Sequence, residues 1–327
     1  MFRMARKVIL KTHLSLGDIV CFTSAIRELH RQYPGEFVTD VRTPFPAIWE
    51  QNSEITSLDE NDPDVEQFDC HYDRDGYVSV NRSNQHPVHL IEGYCQDVAN
   101  LLGLPGLRPQ ELKGHLYLSQ EEYGWMSAPH EKFNCQRYWI LCLGGGKKDH
   151  TTKWYIPEQV QRVVDHFRGR IQFVQVGSAN DSWNWHPDLN GVIDLRGKTD
   201  VRQLIRLVHS ACGVVCGITS LMHLAAAVPL PAWQRRPRPC VVVAGGREPR
   251  TWYGYQSHRI LETVGALPCC RDGGCWHGRT VALGDSLEHD RRLCERVVSG
   301  HPKCMWMIQP ESIIAEVEKY LDSEGIE

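Results

Sequence analysis

Five cysteines, Cys269, Cys270, Cys275, Cys294 and Cys304, fall close together near the end of the chain. Gly273 and Gly274 allow a tight turn before Cys275. Two thiolates at a turn, completed by two more downstream, suit a tetrahedral sulfur site, and soft sulfur donors select zinc or iron. The pattern predicts about one metal per chain, held by Cys275, Cys294, Cys304 and one of Cys269 or Cys270, with His277 and His301 as alternative donors. Four protein ligands leave no open position, so the expected metal is structural; the competing reading is a set of free or buried thiols. A second group of residues could hold an anion. Lys153 offers a cation, although most lysines simply face water. Gly144, Gly145 and Gly146 close an apolar run, where bare backbone can approach phosphate; a plain loop is the alternative. Thr219 and Ser220 precede a short helix whose N–H groups and dipole favour negative charge, a geometry that a helix cap at Ser220 shares. His223 lies in that helix, where a histidine is usually structural. Asp18 sits between an apolar run and a helical pattern; aspartate there caps a helix or takes a proton.

The elements that would position these residues are legible in the periodicity. Lys7–Leu14 reads as a buried strand, followed by the loop Ser15–Asp18. Ile19, Phe22, Ile26, Leu29 and Tyr33 then recur at helical spacing, Pro34-Gly35 stops the helix, and Phe37–Arg42 is a second strand. This β-loop-α-β unit opens a doubly wound domain. Residues 53–88 are polar and irregular, with short strands possible, and His89–Leu102 reads as a helix. A polar, weakly periodic stretch, 119–137, is the expected linker, giving domains of 1–130 and 131–327. The second half predicts strands at Tyr138–Leu143, Ile171–Val176, Gly213–Cys216 and Cys240–Ala244. They alternate with helices from Pro157, over Val201–Val208 and over Ser220–Val228, and Glu311–Leu321 closes the chain. Such alternation implies a parallel sheet covered on both faces, with ligands at the carboxyl ends of its strands. The cysteine segment, 268–308, has little apolar periodicity, so a metal would staple it.

Composition narrows the function classes. The chain has 327 residues, long enough for two cores. Apolar residues make up 42% and charged residues 23%, ordinary globular proportions. A net charge of −4 gives no electrostatic footprint for nucleic acid. No apolar run approaches a membrane span, and Arg3, Arg6, Lys7 and Lys11 are dispersed rather than set ahead of an apolar core, so a cytoplasmic location is expected. Disulfides are then not expected among the 13 cysteines, and Cys21, Cys142, Cys212, Cys216 and Cys240 read as small buried hydrophobes. Asp62 and Asp64 have the spacing of a metal-binding pair but fall in an acidic loop, where solvated charge is the plainer reading.

Two doubly wound, Rossmann-like domains facing a cleft describe the GT-B architecture, and several stretches resemble one family of that fold. Leu14-Ser15-Leu16-Gly17-Asp18, Ala25-Ile26-Arg27-Glu28-Leu29 and Tyr33-Pro34 are similar to the opening motif of glycosyltransferase family 9, the ADP-heptose heptosyltransferases. Lys153-Trp154 with Pro157-Glu158, and Leu195-Arg196-Gly197-Lys198-Thr199, resemble later motifs. Gly217-Ile218-Thr219-Ser220-Leu221-Met222-His223 resembles the most specific one, with Ile218 where the family has aspartate and Ser220 where it has glycine. The resemblance implies an inverting enzyme moving heptose from ADP-heptose to a hydroxyl of a glycan or protein. It makes Asp18 the general base. Gly17, Gly144, Gly145, Gly146, Lys153, Thr219, Ser220 and His223 become donor-binding residues. No catalytic metal is then expected, because Lys153 and the loop dipoles can stabilise the leaving diphosphate. The cysteine-rich segment resembles the metal-binding appendage of bacterial autotransporter heptosyltransferases. Two alternatives accompany this reading: a GT-B enzyme using another nucleotide sugar, as transferase or epimerase, and a non-catalytic, metal-stapled binding protein.

Overall fold

The computed structural model describes residues 4–73, 87–285 and 293–324. The chain divides into two compact units, Met1–Trp125 with Ala226–Pro229, and Met126–Ala225 with Leu230–Glu327.

In the first unit, strand β1 (Arg6–Lys11) leads into helix α1 (Leu16–Gln32), then β2 (Phe37–Arg42), β3 (Val65–Asp69) and α2 (Leu90–Leu102). The three strands are parallel in the order β2-β1-β3. Val8, Ile9 and Leu10 of central β1 are wholly buried, which is why that strand reads as an unbroken apolar run rather than an alternating one. Helix α1 buries Ile19, Phe22, Ile26 and Leu29, each worth about 2 kcal/mol of apolar transfer. Phe22 meets Tyr94 of α2 at 5.0 Å between ring centroids. Helix α2 starts with a capping box, His89 with Glu92, and stops at Gly103 in the left-handed conformation. Asp62 of the acidic loop, expected to be solvated, instead pairs with Lys7 at 2.9 Å. Short helix α3 (Gln120–Gly124) follows in the polar stretch.

The second unit contains α4 (Ala128–Phe133), β4 (Trp139–Cys142), β5 (Gly145–Gly146), α5 (Pro157–His166), β6 (Phe173–Gln175), β7 (Asn184–Trp185), β8 (Ile193–Asp194) and α6 (Val201–Ser210). There follow β9 (Gly213–Gly217), α7 (Ser220–Ala227), β10 (Cys240–Gly245), α8 (Arg250–Tyr253), β11 (Arg259–Glu262), β12 (Val297–Val298), β13 (His301–Pro302), α9 (Lys303–Trp306) and α10 (Pro310–Glu324). Six parallel strands form one sheet in the order β11-β10-β9-β4-β6-β8. On one face α5 and α10 contribute Val160, Val163, Phe167, Ile313 and Val317 to a core with Trp139, Val215 and Val243 from the sheet. Cys142, Cys212, Cys216 and Cys240 are buried in or beside its central strands, and Cys21 is buried in α1, as their apolar surroundings predict.

Candidate functional site

Both sheets have a point where strand order reverses, and in open parallel sheets ligands collect there, outside the strand carboxyl ends. In the second unit the reversal lies between β4 and β9, because β6 and β8 extend to one side while β10 and β11 extend to the other. The loops leaving β4, β9 and its neighbour β10 carry Gly144 to Lys153, Ile218 to Ser220, and Gly246 to Glu248. Lys153 ends a 3₁₀ turn, Thr151–Lys153, and its carbonyl lies 3.4 Å from where a Cβ on Gly217 would stand. Its Nζ donates to Glu248 Oε1 at 2.8 Å, and the same oxygen accepts from Arg247. The three side chains are only 16%, 6% and 15% exposed. One buried carboxylate thus ties together two cations from two loops.

The glycines of this region have packing reasons of their own. A Cβ on Gly144 would stand 2.3 Å from the carbonyl oxygen of Trp185 and 2.8 Å from His186 Cα, so only glycine fits. Gly145 and Gly146 pair antiparallel with Trp185 and Asn184, and Trp185 lies against Trp154, with ring centroids 4.6 Å apart. Arg196, in a stretch that carries part of the family resemblance, holds Asp194 through two hydrogen bonds and also pairs with Asp188. Thr219 Oγ1 is buried and lacks a hydrogen-bond partner among the described residues. Ser220 opens α7, and His223 within it is buried, its Nδ1 sharing a 2.6 Å hydrogen bond with Tyr255. Leu221 and Leu224 are buried as well.

In the first unit the order reverses at β1. A cavity of about 370 Å³ lies at the carboxyl ends of β1 and β3, lined by Lys11 to Leu14 and by Asp69, Cys70, His71 and Asp73. The β1–α1 loop continues from this wall only to Ser15; Gly17 and Asp18, expected in the loop, lie in the first turn of α1. Ser15, not Asp18, caps the helix, and Asp18 closes a capping box from its first turn: Oδ2 accepts from the Ser15 N–H at 3.0 Å and from Ser15 Oγ at 2.6 Å. That contact fixes one carboxylate oxygen. Asp18 remains half-buried rather than sealed, and its charge adds to burial in pushing the Tyr94 phenol well above its ordinary range. The cap and a chemical role are therefore compatible in one geometry.

All five C-terminal cysteines line a single cavity of about 10 Å³, room for one atom-sized occupant. Thr152, Gly246, Arg247, Leu267, Arg296 and Pro302 complete its wall. Burial pushes the Cys269 thiol up to about 11 and the Cys304 thiol up to about 12, and neighbouring thiols add to both shifts. Backbone hydrogen bonds from Gly246 to Cys304 and from His277 to Cys275 act in the opposite sense, favouring thiolate. Cys270 is nearly inaccessible and its thiol donates to the carbonyls of Thr263 and Leu267. His277 and His301 do not line the cavity. Among the described residues no group of three or more His, Cys, Asp and Glu side chains stands at metal-ligand geometry, so the convergence is of position rather than of preformed coordination.

This segment is also built into the second unit's ligand edge. Thr152 Oγ1 and Arg247 Nε both donate to the His277 carbonyl, at 2.6 and 2.9 Å. Buried Arg279 binds Asp149 and Asp285, and Thr280 N–H donates to Thr151. Sequence reasoning missed Arg247 and Glu248, although a charged pair directly after the Gly245-Gly246 that closes a strand carries the same signal as Lys153.

No protein-family model matches the chain, and no curated protein does. Solved structures do share its fold. A family 9 glycosyl transferase from Veillonella parvula superposes with a TM-score of 0.61 at 13% identity, over 98% of this chain and 98% of that one. The E. coli ADP-heptose lipopolysaccharide heptosyltransferase II gives 0.58 at 16% identity, over 97% and 99%. TibC from enterotoxigenic E. coli, described as a dodecameric iron-containing heptosyltransferase and solved with ADP-D-β-D-heptose, gives 0.67 at 13% identity, over 99% and 79%. The chain therefore has the two-part α/β fold of these GT-B enzymes. Among its described residues no helix is long and apolar enough to cross a membrane.

Proposed function

We propose that this protein is an inverting glycosyltransferase that moves heptose from ADP-heptose to a hydroxyl of a glycan or protein acceptor. The observation that carries the reading is the fold likeness to heptosyltransferases over nearly the whole chain. The placement of Lys153, Thr219 and Ser220 around the β4/β9 reversal supports it. In this scheme Asp18 takes the proton of the acceptor hydroxyl, and the oxygen bonds to the anomeric carbon as the bond to the β-phosphate breaks. The electron pair leaves with ADP. Lys153 and the N–H groups at the start of α7 stabilise the developing negative charge. Gly17 precedes Asp18 in the first turn of α1, and Gly145 and Gly146 bring backbone to the same edge as Lys153. His223 acts from behind, through its bond to Tyr255, in setting the first turn of α7.

The thiols lining the cysteine cavity are soft donors of the kind that suit zinc or iron, and they would have to draw together to coordinate it. Cys275, Cys294 and Cys304 would hold it with Cys269; Cys270 is less suited because its thiol is engaged as a donor. Such an ion would supply folding free energy to the cysteine segment and would take no part in sugar transfer.

The test is a thermal-shift panel of nucleotides and nucleotide sugars. ADP or ADP-heptose at a hundred times its dissociation constant stabilises the native state by about 2.7 kcal/mol. Lys153→Ala should reduce that shift. A shift with UDP- or GDP-sugars and none with ADP ligands would overturn the ADP-heptose reading in favour of another nucleotide-sugar enzyme.

A further inference from the structure

The ion triad at the ligand edge has a charge pattern that the proposed reaction does not use. Glu248 is 4% exposed, and one of its oxygens serves both Lys153 and Arg247. Burying two cations without a counter-charge is costly, and Glu248 removes that cost in the free protein. The two cations are not held alike. Arg247 is anchored independently of Glu248, by its Nε bond to the His277 carbonyl at 2.9 Å and by its position 5.8 Å from the Trp276 ring centroid. Lys153 reaches Glu248 from a flexible stem at the end of its turn. An arriving anion therefore finds an ammonium on a flexible stem and a guanidinium held on its carbonyl, with a carboxylate between them.

We propose that Glu248 is an internal counter-anion for the donor site. It holds Lys153 Nζ in place in the free protein and yields it to the diphosphate on binding, while keeping its contact with Arg247. The proposal rests on the reading of Lys153 as a diphosphate ligand. Its consequence is specificity and release: a neutral or weakly charged group cannot displace the carboxylate, and the returning carboxylate competes with ADP for the lysine. Glu248 is thus a positioning residue that weakens product binding by design of its charge.

The test is calorimetric titration of the full chain with ADP, inorganic pyrophosphate and adenosine. Glu248→Gln removes the competing charge while keeping the shape. It should bind ADP and pyrophosphate about tenfold more tightly or better, tenfold being roughly the effect of one unit charge ~3 Å away at the dielectric of bulk water. Adenosine binding should not change, a separation that a merely structural role would not produce. In a Lys153→Gln background the gain should vanish. Because Glu248→Gln removes a buried counter-charge from two cations, Glu248→Asp is the second variant. It keeps the charge, lengthens the contact to Lys153, and should tighten ADP binding by a smaller factor. Equal or weaker ADP binding by either folded variant would overturn the proposal, with wild-type ADP binding leaving the donor reading intact. Wild-type protein that binds pyrophosphate with the same variant pattern, but not ADP, would sink the adenine-nucleotide reading alone. Wild-type protein that binds neither would end both.

Discussion

His186 lies where the loops after β4 and β6 meet, under Gly144 and Gly177, and it is 3% exposed. Its Nδ1 has no hydrogen-bond partner among the described residues. Burial, reinforced by the Arg196 guanidinium, lowers its pKa from 6.5 to about 4. The folded protein therefore keeps His186 neutral in a range where the unfolded chain protonates it. Between those values the unfolded state binds more protons, so stability is fully present above pH 6.5 and falls as the pH drops toward 4. Each pKa unit corresponds to about 1.4 kcal/mol, and at pH 5 the unfolded form is favoured by about 2 kcal/mol relative to pH 7 from this residue alone. Urea denaturation at pH 7, 6 and 5, followed by tryptophan fluorescence, reads this directly. Wild type should lose that stability on acidification, and His186→Gln, which cannot titrate, should lose correspondingly less. An identical pH slope in a folded His186→Gln variant would show that His186 is protonated in place, and the argument from burial would be wrong.

Three further outcomes are expected. Asp18→Asn should fold, because an amide oxygen still accepts from Ser15, yet turn over at least ~10²-fold more slowly; near-normal turnover in the folded variant removes Asp18 as the base. Cys275→Ser should lose the metal found by elemental analysis of wild type and destabilise the C-terminal segment, with activity falling only as folded protein is lost; a metal-free wild type that is fully stable refutes the site. Gly144→Ala should cost about 2 kcal/mol or more, since the new methyl meets backbone rather than a movable side chain, and a melting curve that matches wild type would refute that reading of the glycine.

The long elements were legible because one face or the whole of each is apolar. Ile19, Phe22, Ile26 and Leu29 mark α1, and Val8–Leu10 and Cys240–Ala244 mark central strands buried on both sides. Strand β8 is two residues long and β11 is half-buried at the sheet edge, so neither carries a run that stands out. The β5–β7 pairing joins residues far apart in sequence, two of them glycines, and no local pattern encodes it. The cysteines were visible as a group because thiols are rare and these fall close together. Their shared cavity depends on Gly246 and Arg247 from another loop, which no spacing rule within the segment reveals. Asp18 reads from the sequence as a cap ahead of a helix beginning at Ile19; the helix instead begins at Leu16 with Ser15 as its cap, because the Asp18 carboxylate reaches back to Ser15 from the first turn.

The hydrogen bonds joining the cysteine segment to the β4 loop bear on protein engineering. Thr152 and Arg247 lean on the His277 carbonyl, and Asp149 on Arg279. A truncation before residue 268 would not trim an accessory module; it would strip partners from the residues flanking Lys153. A chimaera carrying 268–308 onto a different scaffold would likewise arrive with its thiols but without Gly246 and Arg247 to close around them. In this fold the segment and the sheet edge are interchangeable only as a pair, and any recombination library should place its crossovers outside both.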